Sequence, residues 1–203
     1  MKIKSELVKE LREQTGVGIM ACKNALQEAD GNITQAVDLL RKKGIAKAQK
    51  REGRSASEGQ VQAYIHMGGK IGVLVEVNCE TDFSAKTEDF NSFTRNLAMH
   101  IAATNPMAIS QEGLSEDIVE REKEIYRAQA LESDKPEKVV DKIVDGKMKK
   151  FVSEVCLLKQ PYVRDPDLTI EDLVNELKVK TGENVIIRRF ARFQLGGADD
   201  KAQ

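Results

Sequence analysis

Apolar residues recur at helical spacing from the start of the chain: Leu7, Val8 and Leu11, then Met20, Ala25, Leu26 and Ala29, then Ile33, Ala36, Val37 and Leu40. The spacing predicts three short helices. Gly16-Val17-Gly18 and Asp30-Gly31-Asn32 separate them, because both runs hold residues that tolerate the positive φ ending a helix, and Asn32 or Thr34 can cap the helix that follows. A three-helix module over residues 1–45 is expected. Residues 46–60 are rich in Lys, Arg, Ser, Gly and Ala and carry no sustained apolar stripe, which predicts a linker.

From Val61 the period drops to two. Val61, Ala63 and Ile65 alternate with Gln62, Tyr64 and His66, Gly68-Gly69 supplies a turn, and Ile71, Val73, Val75 and Val77 alternate onward, so a β-hairpin is expected with these apolar sets on one face. Phe90, Phe93, Leu97 and Ile101 then define a helix that covers the hairpin and stops before Asn105-Pro106. A further helix starts near Ser115, and another at Pro136 carries Val140, Ile143, Val144, Met148, Phe151 and Val155. Pro161 and Pro166 break that stripe, and Thr169-Ile170-Glu171-Asp172 reads as a capping box for a helix halted at Gly182. These last two helices are expected to pair as a protruding antiparallel hairpin over about residues 136–180. A final strand over Asn184–Leu195 alternates through Val185, Ile187, Arg189, Ala191 and Phe193 and returns to the sheet, and residues 196–203 are expected to form a disordered tail. The fold class is therefore α+β: three helices, then a core over residues 61–195 with a small antiparallel three-stranded sheet covered by helices.

Composition narrows the partners. The chain has 203 residues, of which 32% are charged, yet its formal net charge is only -1. That balance argues against nucleic acid as a direct ligand, because phosphate binding needs a one-sided basic face, and Lys47, Lys50, Arg51 and Arg54 read as a solvated tether. Cys22, Cys79 and Cys156 are odd in number and lack metal-binding or disulfide spacing. The N-terminus turns amphipathic at once and nothing approaches the ~20 apolar residues of a membrane span, so a soluble cytoplasmic protein is expected.

The segment Glu76-Val77-Asn78-Cys79-Glu80-Thr81-Asp82-Phe83-Ser84-Ala85-Lys86 joins a strand to a helix, so its tip projects at the sheet edge. Two readings stand there. Thr81, Asp82 or Ser84 caps the helix while Phe83 drops into the core, or the tip is an exposed contact element. His100 lies about 60° off the stripe of its helix, where it flanks the core as a boundary residue. Arg12 and Met20 flank the Gly16–Gly18 loop, as a surface arginine with a core methionine or as an adaptable protein contact.

The tip segment resembles a signature of the elongation factor Ts family, and Leu11 to Leu26 resembles the same family's N-terminal signature. The likeness continues through Met99 to Ala103, Gly146 to Phe151, Gln160 to Val163 with Asp165-Pro166, and Gly182-Glu183-Asn184 with Arg188-Arg189-Phe190, covering about residues 3 to 195. It implies a non-enzymatic guanine-nucleotide exchange factor of translation elongation, with elongation factor Tu as partner and no cofactor. On matching positions Thr81, Asp82, Phe83 and Ser84 would disturb the partner's magnesium site, with Phe83 as wedge, and Arg12, Met20 and His100 would bind the partner; residues 1–45 would be a ubiquitin-associated-like docking module. Ser84 stands where the resemblance implies valine. Only one half-core is present where longer members have two, which implies a homodimer.

Two other classes compete. An enzyme built on Cys79, Asp82 and His100 lacks a phosphate-binding glycine loop, a nucleophile elbow and metal-ligand spacing. A ubiquitin-associated-like adaptor would leave the chain beyond the first module unexplained.

Overall fold

The computed structural model describes residues 3–49, 51, 53–132 and 136–197, without the side chains of 45–49, 137 and 138. Residues 198–203, most of the expected tail, lie outside the described residues. The fold is α+β, and the described residues form two compact units, one drawn from Met1–Gln60, Val77–Phe93 and Asp172–Ile186, the other from Val61–Glu76, Thr94–Glu171 and Ile187–Gln203.

In the first unit, helices α1 (Ser5–Thr15), α2 (Ile19–Glu28) and α3 (Ile33–Gln49) follow the predicted pattern. Leu11, Cys22, Ala25, Leu26, Ala29, Ala36 and Leu40 form their buried core. Gly16 at φ 66 ends α1, its N–H donating to Arg12 O at 2.8 Å. Asp30 and Gly31 at φ 49 and 84 end α2, and Asn32 Oδ1 caps α3 by accepting from Gln35 N at 3.0 Å. Helix α3 continues into the expected linker, and strand β1 (Glu58–Ile65) begins before that linker was expected to end. Gly44 lets α3 approach α8 (Ile170–Thr181), since a Cβ there would lie 2.7 Å from Val179 Cγ2.

Strands β1, β2 (Ile71–Cys79) and β5 (Ile186–Gln194) form the antiparallel sheet in the order β1-β2-β5. Val73, Val75 and Val77 are buried as expected, but Val61, Ala63 and Ile65 face outward. The hairpin explains the correction. His66 N donates to Ile71 O at 2.9 Å, so the loop between them has an even number of residues and odd positions of β1 lie opposite even positions of β2. Ile65 accordingly covers Gly72, whose Cβ would sit 3.1 Å from Ile65 Cδ1. In β5 the burial pattern slips: Ile187 and Phe190 are buried while Phe193, expected inward, is exposed.

Helix α5 (Glu88–Thr104) buries Phe90, Leu97, Ala98, Ile101 and Ala102 and ends at Asn105, whose φ is 47. Helices α6 (Glu116–Leu131) and α7 (Glu137–Val155) pack on each other through Ala130, Val140 and Val144, with Tyr126, Ile143 and Met148 around them. Arg127 pairs with Asp141 at 2.7 Å, and Lys147 donates to Gln129 at 2.6 Å and lies over the Tyr126 ring. The helical hairpin is therefore α6–α7, not α7 with α8 as the proline spacing predicted. A short ladder of β3 (Pro161–Tyr162) and β4 (Asp165–Thr169) occupies the stretch between Pro161 and α8 that the prolines marked only as a break.

Candidate functional site

The tip is a single helical turn held between two caps. Thr81 is extended at φ -131, ψ 154, and its hydroxyl accepts from Ser84 N at 3.3 Å, which opens α4 (Asp82–Ala85). Thr87 repeats the device for α5, accepting from Phe90 N at 3.3 Å while donating to Ser84 O at 2.8 Å. Phe83 between them is 80% exposed, so the core reading of this residue is overturned. An isolated exposed phenylalanine forgoes about 1.5–3 kcal/mol of burial, which a contact surface can recover on binding. Asp82 forms an i,i+4 pair with Lys86 at 2.7 Å, and that hydrogen bond holds its carboxyl below the usual carboxylate range.

Ser84, where the resemblance implies valine, is 6% exposed. Its hydroxyl makes no hydrogen bond of normal geometry, although it lies near enough to Cys79 to favour that thiolate slightly. Burial outweighs this and pushes the Cys79 thiol up, with Glu183 adding to the rise, so the thiol stays protonated and donates to Thr81 O at 3.1 Å.

Beneath the turn lies a clasp that pattern reading missed. Glu183 Oε2 accepts from the backbone N–H groups of Glu80 and Thr81, both at 3.0 Å, and Oε1 accepts from Thr81 Oγ1 at 2.6 Å. Glu80 reciprocates, accepting from Asn184 N at 2.6 Å and pairing with Arg54 at 3.5 Å, while Asn184 Nδ2 donates to Arg54 O at 2.9 Å. No spacing signal marks Glu183 or Asn184 for this role, because periodicity cannot reveal a partner more than a hundred residues away in sequence.

The remaining predicted residues separate. Arg12 is exposed and Met20 is 65% exposed, which removes the core reading of Met20 and leaves both on the surface beside the Gly16–Gly18 loop. His100 is 0% exposed, so it offers no surface to a partner, contrary to the expected contact. Its Nδ1 accepts from Val163 N at 3.4 Å and its Nε2 meets Gln160 Oε1 at 3.0 Å, which assigns the proton to Nε2. Burial lowers its pKa, only partly offset by Gln160. Cys79 donates to Thr81 O, and both ring nitrogens of His100 are taken up by Gln160 and Val163, so neither presents a free group at the surface. Among the described residues no group of three His, Cys, Asp or Glu is placed to hold a metal, and no helix is long and apolar enough to cross a membrane.

A family profile described as Elongation factor TS matches residues 7–197. Elongation factor Ts of Syntrophobacter fumaroxidans is 61% identical over 196 residues, spanning 97% of this chain and 98% of that protein. The protein of the same name from Desulfosudis oleivorans is 62% identical over 194 residues, 96% and 98% of the two chains, and that of Caldanaerobacter subterraneus 57% over 199 residues, 98% and 100%.

Proposed function

Because this chain belongs to the elongation factor Ts family and is a translation elongation factor, we propose that it acts as a guanine-nucleotide exchange factor that binds elongation factor Tu carrying GDP and promotes GDP release. The observation that carries the reading is Phe83, 80% exposed on a turn that buries no apolar side chain. Thr81, Asp82, Phe83 and Ser84 form the exchange element, with Phe83 as wedge. Burying one phenylalanine is worth about 1.5–3 kcal/mol, roughly ten- to a hundredfold in an equilibrium. The wedge therefore needs leverage, and displacing a magnesium ligand supplies it, because that ion tolerates little departure from octahedral geometry and offsets phosphate charge.

Arg12 and Met20, exposed on the first three helices, provide a second contact. The factor binds nucleotide-free partner best, and linkage then requires that nucleotide weaken its binding by the same ratio. A second copy of the chain covers the outward sheet face, where Val61, Ile65, Leu74 and Phe193 are exposed.

The test is stopped-flow release of fluorescent GDP from elongation factor Tu with the native chain and with Phe83→Ala. The expected result is acceleration by the native chain, reduced about ten- to a hundredfold in the variant. No acceleration by the native chain would overturn the function, and an unchanged rate in the variant would remove the wedge.

A further inference from the structure

We propose that Glu183 is the positioning residue of the tip, fixing the direction in which Phe83 points; the inference rests on the exchange reading of that tip. A helix of four residues cannot hold its own orientation, because one turn fixes many dihedrals for little hydrogen bonding. Packing does not hold it either, since Ser84 is the only buried residue of α4. Direction comes from the polar groups at its two ends: Thr87 donates to Ser84 O at 2.8 Å after the turn, and Glu183 acts where the chain enters it. Glu183 accepts three bonds there, two from the consecutive N–H groups of Glu80 and Thr81 and one from the Thr81 hydroxyl that itself caps the turn. One carboxylate thus sets both the backbone entering the turn and the rotamer of its cap, through charge-assisted bonds stronger than neutral ones.

Glu183 is itself fixed. It follows Gly182, whose φ of 75 turns the chain out of α8, and its N–H donates to Thr181 Oγ1 at 3.3 Å. Asn184 beside it returns a bond to Glu80, so the two segments hold each other from both sides.

The experiment compares E183A, E183D and E183Q in the full chain, each confirmed folded by circular dichroism. 4-Fluorophenylalanine at position 83 is read by fluorine NMR, and amide exchange at Glu80 and Thr81 is measured alongside GDP release from elongation factor Tu. E183D keeps the charge but withdraws it by one methylene, so it separates position from charge and serves if E183A fails to fold. E183A and E183D should shift the fluorine signal toward that of the unfolded chain, lose amide protection at both positions, and lower the maximal release rate about tenfold or more, the scale of small misplacements, with affinity changed less. E183Q, which keeps an acceptor oxygen in place, should restore part of each readout. Folded E183D with native fluorine signal and amide protection would overturn the inference. A shifted tip with GDP release unaffected both in these variants and in Phe83→Ala would leave the positioning intact and reject the exchange reading instead.

Discussion

Phe83 and Ser84 are neighbours with opposite fates, and both are unusual for their type: the phenylalanine is out and the serine is in. A buried hydroxyl without a hydrogen bond costs stability that an apolar replacement recovers. Ser84→Ala should therefore stabilise the chain by about 1 kcal/mol, seen as a higher urea midpoint at unchanged slope. His100 gives a pH dependence. Its folded-state pKa is lowered, so the unfolded chain binds the proton more readily, and stability is fully present above the unfolded value of about 6.5 and declines as pH falls below it toward the folded pKa. The slope from this one group is at most about 1.4 kcal/mol per pH unit, and comparing urea titrations of the native chain and His100→Gln across that window should show it vanish in the variant. Cys79, buried with a raised pKa and its proton committed to Thr81 O, should react with iodoacetamide in the folded chain far more slowly than in denaturant.

At the scale of elements, the edges of β1 and the pairing of the long helices decide the architecture. Gly59 sits at φ 136, and a Cβ there would come 2.1 Å from Val77 O, a clash with backbone that no side-chain motion relieves. Gly59→Ala should cost about 3 kcal/mol or more, read as a lowered melting temperature, whereas Gly146→Ala, with open space around it in α7, should be neutral or stabilising. The α6–α7 pairing shows why the proline signals were misleading. Prolines mark where a helix stops, but which neighbour a helix packs on is set by the apolar faces available, and Ala130 with Tyr126 on α6 matches Val140 and Val144 on α7.

At the scale of the whole molecule, the outward sheet face carries the prediction. Val61, Ile65, Leu74 and Phe193 expose apolar surface from all three strands, while Glu76 and Arg189 pair at 2.7 Å. With a second copy seated there, Ile65→Asp should lower the mass found by sedimentation equilibrium from dimer to monomer without unfolding the chain. A native chain that sediments as a monomer would remove the second copy from the proposal, and a variant that stays dimeric would move the interface elsewhere.

The sequence alone determined most of the local structure, because helix periodicity, glycine stops and asparagine or threonine caps act within a few residues of one another. The three helices around Leu11, Leu26 and Leu40, the ends at Gly16, Asn105 and Gly182, and the starts after Asn32 and Ser115 all lay in the pattern, as did the family's two signatures. Tertiary structure decided what depends on partners distant in the chain. It turned the apolar side of β1 outward through the register of one loop, buried His100 against Gln160 and Val163, left Phe83 and Met20 in the open, and brought Glu183 under the tip. A hydrogen bond across a hundred residues leaves no period in the sequence, so only the folded chain could show which carboxylate holds the turn.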